Sequence, residues 1–178
     1  GRAAGREPVR MNLEALNAAA PADFLAALGG IYEHSPWVAE AGLAARPFAD
    51  PDALAQAMAR AVAEAGDAAQ MALIRAHPQL AGRAAIAGDL TESSRSEQRG
   101  AGLDRCSPEE FARLTALNDA YQAKFGFPFI LAVKGHTRAS ILANLAARLP
   151  NEAADERAEA LRQIDRIARF RLEALLGG

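Results

Sequence analysis

The chain is short of the residues on which several classes of protein depend. Its single cysteine, Cys106, has no partner among the 178 residues, which excludes an intrachain disulfide framework and any cysteine-based zinc cluster. That usage fits a reducing, cytoplasmic setting. An excess of charge of one sign is also missing. Twenty Lys+Arg face 22 Asp+Glu for a net charge of -2, so no overall field gathers phosphate backbones or anionic lipid, and nucleic acid is not an expected partner. Apolar runs such as Phe127 to Val133 fall far short of the ~20 residues of a membrane span, and no signal-like stretch opens the chain. No membrane partner is expected. The last residues, Leu176-Gly177-Gly178, are not a peroxisomal Ser-Lys-Leu-type address, which again favours the cytosol.

Histidine is scarce as well. The three present, His34, His77 and His136, include no two at helical ligand spacing and none beside the cysteine, so no metal site is expected. Gly82, Gly88, Gly100 and Gly102 neither follow a strand nor carry the lysine of a phosphate-binding loop. Any chemistry is therefore expected to need no cofactor.

What remains is strongly helix-forming. Ala, Leu, Arg and Glu dominate, against four Val and three Thr, and the expected fold class is all-α. Asn12 can cap a short helix through Asn17, and Ala22 to Tyr32 places Phe24, Leu25, Leu28 and Ile31 at helical spacing, with Gly29-Gly30 weakening its last turn. Trp37 to Ala45 reads as a short helix. Asp50 then caps a longer one that starts at Pro51 and runs to about Ala65. Ala68 to Ala76 follows on Met71, Leu73 and Ile74, and Pro78 disfavours helical geometry before it, which puts His77 at that helix's end. Ser107-Pro108-Glu109-Glu110 is a complete start signal for a helix with Phe111, Leu114, Leu117, Asn118 and Tyr121 on one face and Gly126 at its end. Phe127 to Val133 reads as extended and buried. Thr137 caps a helix that Pro150 stops after Leu149, and Ala153 to Leu176 forms a long last helix. With no internal repeat and no low-complexity linker, the expectation is one bundle-like domain of about eight helices plus one short extended segment at 127–133. Gly1 to Arg10, which open on Gly rather than Met, are set apart as a flexible N-terminal segment.

Three places hold residues that packing alone does not explain. His77 reads either as a helix-end histidine satisfying exposed carbonyls, or as a general acid/base whose ordinary pKa of about 6.5 lets its surroundings select either form. His34 fits a packed helix end and His136 a solvated turn. Ser94 and Glu97 have capping-box spacing, which accounts for Leu90 to Gln98 as a helix start, yet the same turn gathers Ser94, Glu97 and Gln98 as a small polar ligand would require. On the last helix, Leu161, Ile164, Ile167, Ala168, Leu172 and Leu175 share one side, and Arg162, Arg166 and Arg169 the other. Arg171 falls among the apolar group. It either snorkels near the chain end or meets an acidic partner such as Glu97, or an anionic ligand, because an unpaired charge out of water costs several kcal/mol.

Four blocks carry a resemblance across roughly Asn12 to Leu176. They are Tyr32-Glu33-His34-Ser35-Pro36-Trp37; His77-Pro78-Gln79-Leu80-Ala81-Gly82; Leu90-Thr91 with Ser94, Glu97, Gln98, Ala101, Gly102 and Leu103; and Leu117-Asn118-Asp119-Ala120-Tyr121 with Lys124 to Phe129 and Val133-Lys134-Gly135. In this order they resemble 2-oxo-4-hydroxy-4-carboxy-5-ureidoimidazoline (OHCU) decarboxylase, a family of urate breakdown. The resemblance implies an all-α domain over residues 11–178, usually a homodimer, needing neither metal nor organic cofactor. The implied activity is that of a carboxy-lyase giving (S)-allantoin. It further implies His77 as the catalytic histidine with Glu97 close by to orient it. Pro78, Ser94 to Gln98 and Phe129, Ile130, Leu131, Ala132 and Val133 would line the substrate site, and Arg171, with Arg169 as a rival, would be its arginine. The competing expectation is a non-catalytic helical ligand-binding or interaction domain, and a helical DNA-binding regulator is disfavoured by the balanced charge.

Overall fold

The computed structural model describes residues 11–177; the N-terminal segment set apart from the sequence lies outside them. Ten α-helices and one 3-10 turn follow one another, with no strand among the described residues. They are α1 (Leu13–Ala18), α2 (Pro21–Leu28), α3 (Pro36–Ala44), α4 (Pro51–Glu64), α5 (Asp67–Ala76), α6 (Arg83–Ala87), α7 (Glu92–Gly100), the 3-10 turn Leu103–Arg105, α8 (Pro108–Phe125), α9 (Arg138–Arg148) and α10 (Ala153–Leu176). The all-α expectation holds, with ten helices where about eight were expected. The excess reflects short pieces such as α6, too brief to show a period.

Local chemistry sets most of the boundaries. Asn12, Asp50, Ser107 and Thr137 each accept a backbone N–H three residues on, and the Ser107–Glu110 capping box is formed in both directions. Gly126 ends α8 in the left-handed region, donating its N–H to Gln122. α2 stops at Leu28, four residues before the expected end, because Gly29-Gly30 makes helix continuation costly and Ile31 and Tyr32 are buried in a bend instead. α7 also starts differently. Thr91, not Ser94, is its cap, accepting from the Ser94 N–H at 3.2 Å, so Ser94 sits inside the first turn with its hydroxyl free for other work.

α3 packs against α2 and α4, α8 against α9, and α10 crosses α4 and α5. Between them lies one core that includes Phe24, Leu54, Met58, Ile74, Tyr121, Ile141, Leu145 and Ile164. Phe111, which shares a face of α8 with Leu114 and Tyr121, is exposed at its start.

Residues 127–133 are buried along their whole length but pair with no strand. Side chains hold them instead. Arg148 Nη1 donates to the Ile130 carbonyl at 2.7 Å and Gln163 Oε1 accepts the Ala132 N–H at 3.0 Å, while the Val133 carbonyl accepts the His136 N–H. Arg148 lies 4.5 Å over the Phe129 ring and pairs with buried Glu156 at 2.8 Å, which also accepts from Tyr121 Oη. This polar brace fixes the segment as a wall.

Candidate active site

His77 caps the C-terminus of α5 in extended geometry, as the following Pro78 requires. Its Nδ1 lies 2.9 Å from the Leu73 carbonyl one turn back. A carbonyl only accepts, so Nδ1 carries the hydrogen and Nε2 is the nitrogen left for a ligand. The ring is buried, and burial is the main force pushing its pKa down to about 4, against the opposing pull of the Leu73 bond and the charge of Glu33. It is therefore a neutral imidazole at neutral pH. The carbonyl that His77 satisfies at the helix end is also what orients its ring.

Arg171 is buried on α10, and all three of its guanidinium nitrogens donate hydrogen bonds. Nε and Nη2 donate to Glu97 at 2.7 and 3.1 Å, Nη2 also reaches Glu33 at 2.8 Å, and Nη1 donates to the Gly30 carbonyl at 3.1 Å. Arg169 turns outward to Asp52 at 2.7 Å and takes no part. The partner that Arg171's misplaced charge demanded is Glu97, as the sequence suggested, together with one it did not, Glu33. Burial alone would raise the Glu33 carboxyl, but the Arg171 charge and hydrogen bonds from Arg171 and Ser94 hold it below the usual carboxylate range. Burial likewise opposes the charge on Arg171, and the two carboxylates more than offset it. Ser94 Oγ donates to Glu33 Oε2 at 3.0 Å. The expected contact of Glu97 with the imidazole is replaced: Leu73 orients the ring, and Glu97 is committed to Arg171.

These groups converge on a cavity of about 30 Å³, lined by His77, Pro78, Ser94, Glu97, Gln98, Phe129, Ile130, Leu131, Val133 and Arg171 among others. Of the expected lining residues Ala132 is absent from it, as are Arg95 and Ser96 within the Ser94 to Gln98 stretch. Ala132 faces a neighbouring groove of about 600 Å³ that shares Glu97, Val133, Ile167 and Arg171 as its partition from the cavity. Gln98 Oε1 accepts the Ala81 N–H at 2.9 Å, which leaves its NH2 group to donate elsewhere, and Asn118 Nδ2 ties the same loop through the Leu80 carbonyl. His34 is exposed rather than packed, and His136 lies in a turn with Nδ1 2.9 Å from Ser140 Oγ. No group of three His, Cys, Asp or Glu side chains among the described residues converges as a metal site. Glu33 escaped sequence reading because it stands in a bend, where neither helical period nor capping assigns it a direction; the one signal was its place in the Tyr32 to Trp37 block.

An oriented neutral imidazole and a fixed guanidinium sharing one small cavity suit acid–base chemistry in an all-helical protein. Comparison with known proteins makes this specific: the family model for OHCU decarboxylase matches residues 17–173, and the chain belongs to that family. It is 41% identical over 166 residues to 2-oxo-4-hydroxy-4-carboxy-5-ureidoimidazoline decarboxylase of Halalkalicoccus jeotgali, covering 93% of this chain and 92% of that one. The crystal structure of (S)-allantoin synthase superposes with a TM-score of 0.74 at 31% identity over 93% of this chain, which spans 54% of that longer one. The crystal structure of an OHCU decarboxylase in the presence of (S)-allantoin has a TM-score of 0.68 at 21% identity, covers 90% of this chain and all (100%) of that one, and supports the fold.

Proposed function

We propose that this protein decarboxylates OHCU to (S)-allantoin in urate degradation, with His77 as its acid–base catalyst. The observation that carries this reading is the neutral His77 ring, tied through Nδ1 to Leu73, sharing one cavity with Arg171.

The substrate bears its carboxylate on a ring carbon that also holds a hydroxyl, next to a carbon–nitrogen double bond. Breaking the carbon–carboxylate bond sends its electron pair toward that imine, whose nitrogen takes a proton from solvent, and CO2 departs. The enol that remains gives its hydroxyl proton to His77 Nε2. The imidazolium returns it to one face of the neighbouring carbon, which closes the ketone and fixes the stereocentre. Such acid–base assistance contributes ~10² to 10⁴ in rate. A pKa of about 4 makes His77 ready to accept at neutral pH and its imidazolium a strong donor in the return step. Arg171 and the Gln98 NH2 group suit carbonyl or ureido oxygens, and the backbone of 130–133 suits the ring edge. Phe129 and Ile130 keep water from the carboxylate. Because the cavity holds about 30 Å³, substrate also occupies part of the adjoining groove of about 600 Å³, crossing at Glu97 and Arg171.

Homodimerisation and a cytosolic location belong to the same proposal. Family resemblance supports the first and the lone free cysteine the second, and light scattering and cell fractionation test them. No described helix is long and apolar enough to cross a membrane.

The test generates OHCU in place from urate with uricase and hydroxyisourate hydrolase and follows circular dichroism. Wild-type protein should give a growing signal of one sign. His77→Asn should keep the helical spectrum and lose that signal, and optically active allantoin made at the wild-type rate by the variant removes His77 from the mechanism.

A further inference from the structure

Glu33 stands 2% exposed in the bend between α2 and α3, where a carboxylate is costly unless something compensates it. Its Oε2 accepts from Arg171 Nη2 at 2.8 Å and from Ser94 Oγ at 3.0 Å, and those two partners are 3.3 Å from each other. The bend itself is pinned on both sides. Tyr32 Oη donates to Asp165 on α10 at 2.8 Å, Arg171 Nη1 holds the Gly30 carbonyl, and Ser35 Oγ donates to the carbonyl of Glu33 at 2.9 Å. His34 is held at a φ of 48°, a left-handed conformation that a non-glycine residue keeps only when its surroundings impose it.

The two carboxylates on Arg171 are not equivalent. The Glu97 side chain is 30% exposed and forms part of the partition toward the groove, whereas that of Glu33 is 1% exposed and has nowhere else to go. An oxygen of an incoming substrate can replace Glu97 on Arg171; it cannot reach the side of the guanidinium that Glu33 holds.

We propose that Glu33 is a positioning residue of this site: it fixes the Arg171 guanidinium and the Ser94 hydroxyl in the cavity wall, so that Arg171 keeps its place when a substrate oxygen displaces Glu97. The proposal rests on the decarboxylase reading above. It adds a third charged member to the site, one that acts on substrate through Arg171 and not by touching it.

Glu33→Gln keeps the shape and removes the charge. Misplacing a substrate-gripping group costs about 10²-fold in kcat/KM. Here the loss should lie in KM, with kcat changed little, because Arg171 grips atoms that do not react. A residue that merely props the fold lowers the active fraction instead, which reduces kcat at unchanged KM. The acid limb of kcat/KM gives a second readout. The ionisable groups acting on His77 are Glu33, Arg171 and His34, with the Leu73 carbonyl as its bonded partner. Removing the Glu33 charge moves the limb to lower pH, whereas loosening that admits water moves it up toward about 6.5. Glu33→Asp retains the charge one methylene short, and should keep the wild-type limb at a raised KM.

The coupled circular-dichroism assay on the full chain decides. Absence of turnover in the wild type counts against the decarboxylase reading alone. With an active wild type, a raised KM and a limb moved down in Glu33→Gln support the positioning role, and a wild-type KM or a limb moved up overturns it. Should Glu33→Gln fail to fold, Glu33→Asp decides alone: a raised KM supports the role and a wild-type KM overturns it.

Discussion

Replacing His77 with Asn should make the protein more resistant to acid at the same time as it abolishes turnover. The folded chain holds the ring neutral with a pKa of about 4, against about 6.5 in the unfolded chain. Between those values the unfolded state binds a proton that the folded state refuses, so stability rises with pH through this window and is lost as pH falls from about 6.5 toward about 4. Each tenfold loss of proton affinity on folding corresponds to about 1.4 kcal/mol, which makes the full penalty about 3 kcal/mol, with 2 to 3 kcal/mol of it reached by about pH 4.5. At 7% exposure the ring gains little relief from solvent. Glu33, whose carboxyl is depressed in the fold, contributes stability that is present above about 4.5 and lost only below it, so the two windows overlap only below about 4.5. Urea unfolding followed by far-ultraviolet circular dichroism, at about pH 7.5 and about pH 4.5, measures the difference between wild type and His77→Asn, in which all other titrating groups cancel. That difference should move by about 2 to 3 kcal/mol in the variant's favour at the lower pH. Parallel pH dependence in the two proteins would refute a buried, neutral His77.

Three further outcomes follow from the geometry. Arg171→Met leaves two carboxylates facing each other, one fully buried, and should cost about 3 to 5 kcal/mol in urea unfolding as well as activity. Ser107→Ala breaks the capping box of α8 away from the cavity and should cost about 1 kcal/mol with kcat/KM unchanged, read by melting and turnover together. Ala81 sits at a φ of 50°, so Ala81→Gly should raise stability by up to about 1 kcal/mol: relief of left-handed strain is partly offset by the added freedom of the unfolded chain, and the backbone N–H that Gln98 accepts is kept.

Much of the fold and part of the site are legible in the amino-acid order alone, for local reasons. Asp50-Pro51 and Ser107-Pro108 announce helices because caps act within three residues, and Pro78 places His77 at the end of α5 because the restriction spans one bond. Arg171 is legible by contradiction: a guanidinium on an apolar face demands a partner, and Glu97 supplies it at 2.7 Å. Long-range pairings are not legible. Glu33 lies 138 residues from Arg171, and no period connects a bend to a helix face. The start of α7 differs from its expected place because Thr91 and Ser94 are both competent caps, and only the buried bond to Glu33 assigns Ser94 a different task. Residues 127–133 read as extended and buried, and buried they are, but whether a neighbour would pair with them depended on Arg148 and Gln163, residues of two other helices.

That last arrangement has a consequence for how the protein responds to its ligand. A β-strand spends its amides on a neighbouring strand, and a bound molecule adds little to their protection. The wall at 130–133 is anchored at single points by side chains, so several of its amides are shielded by burial and not by partnership. They should exchange with deuterium faster than the adjoining helices in the free protein, and slow selectively when allantoin occupies the site.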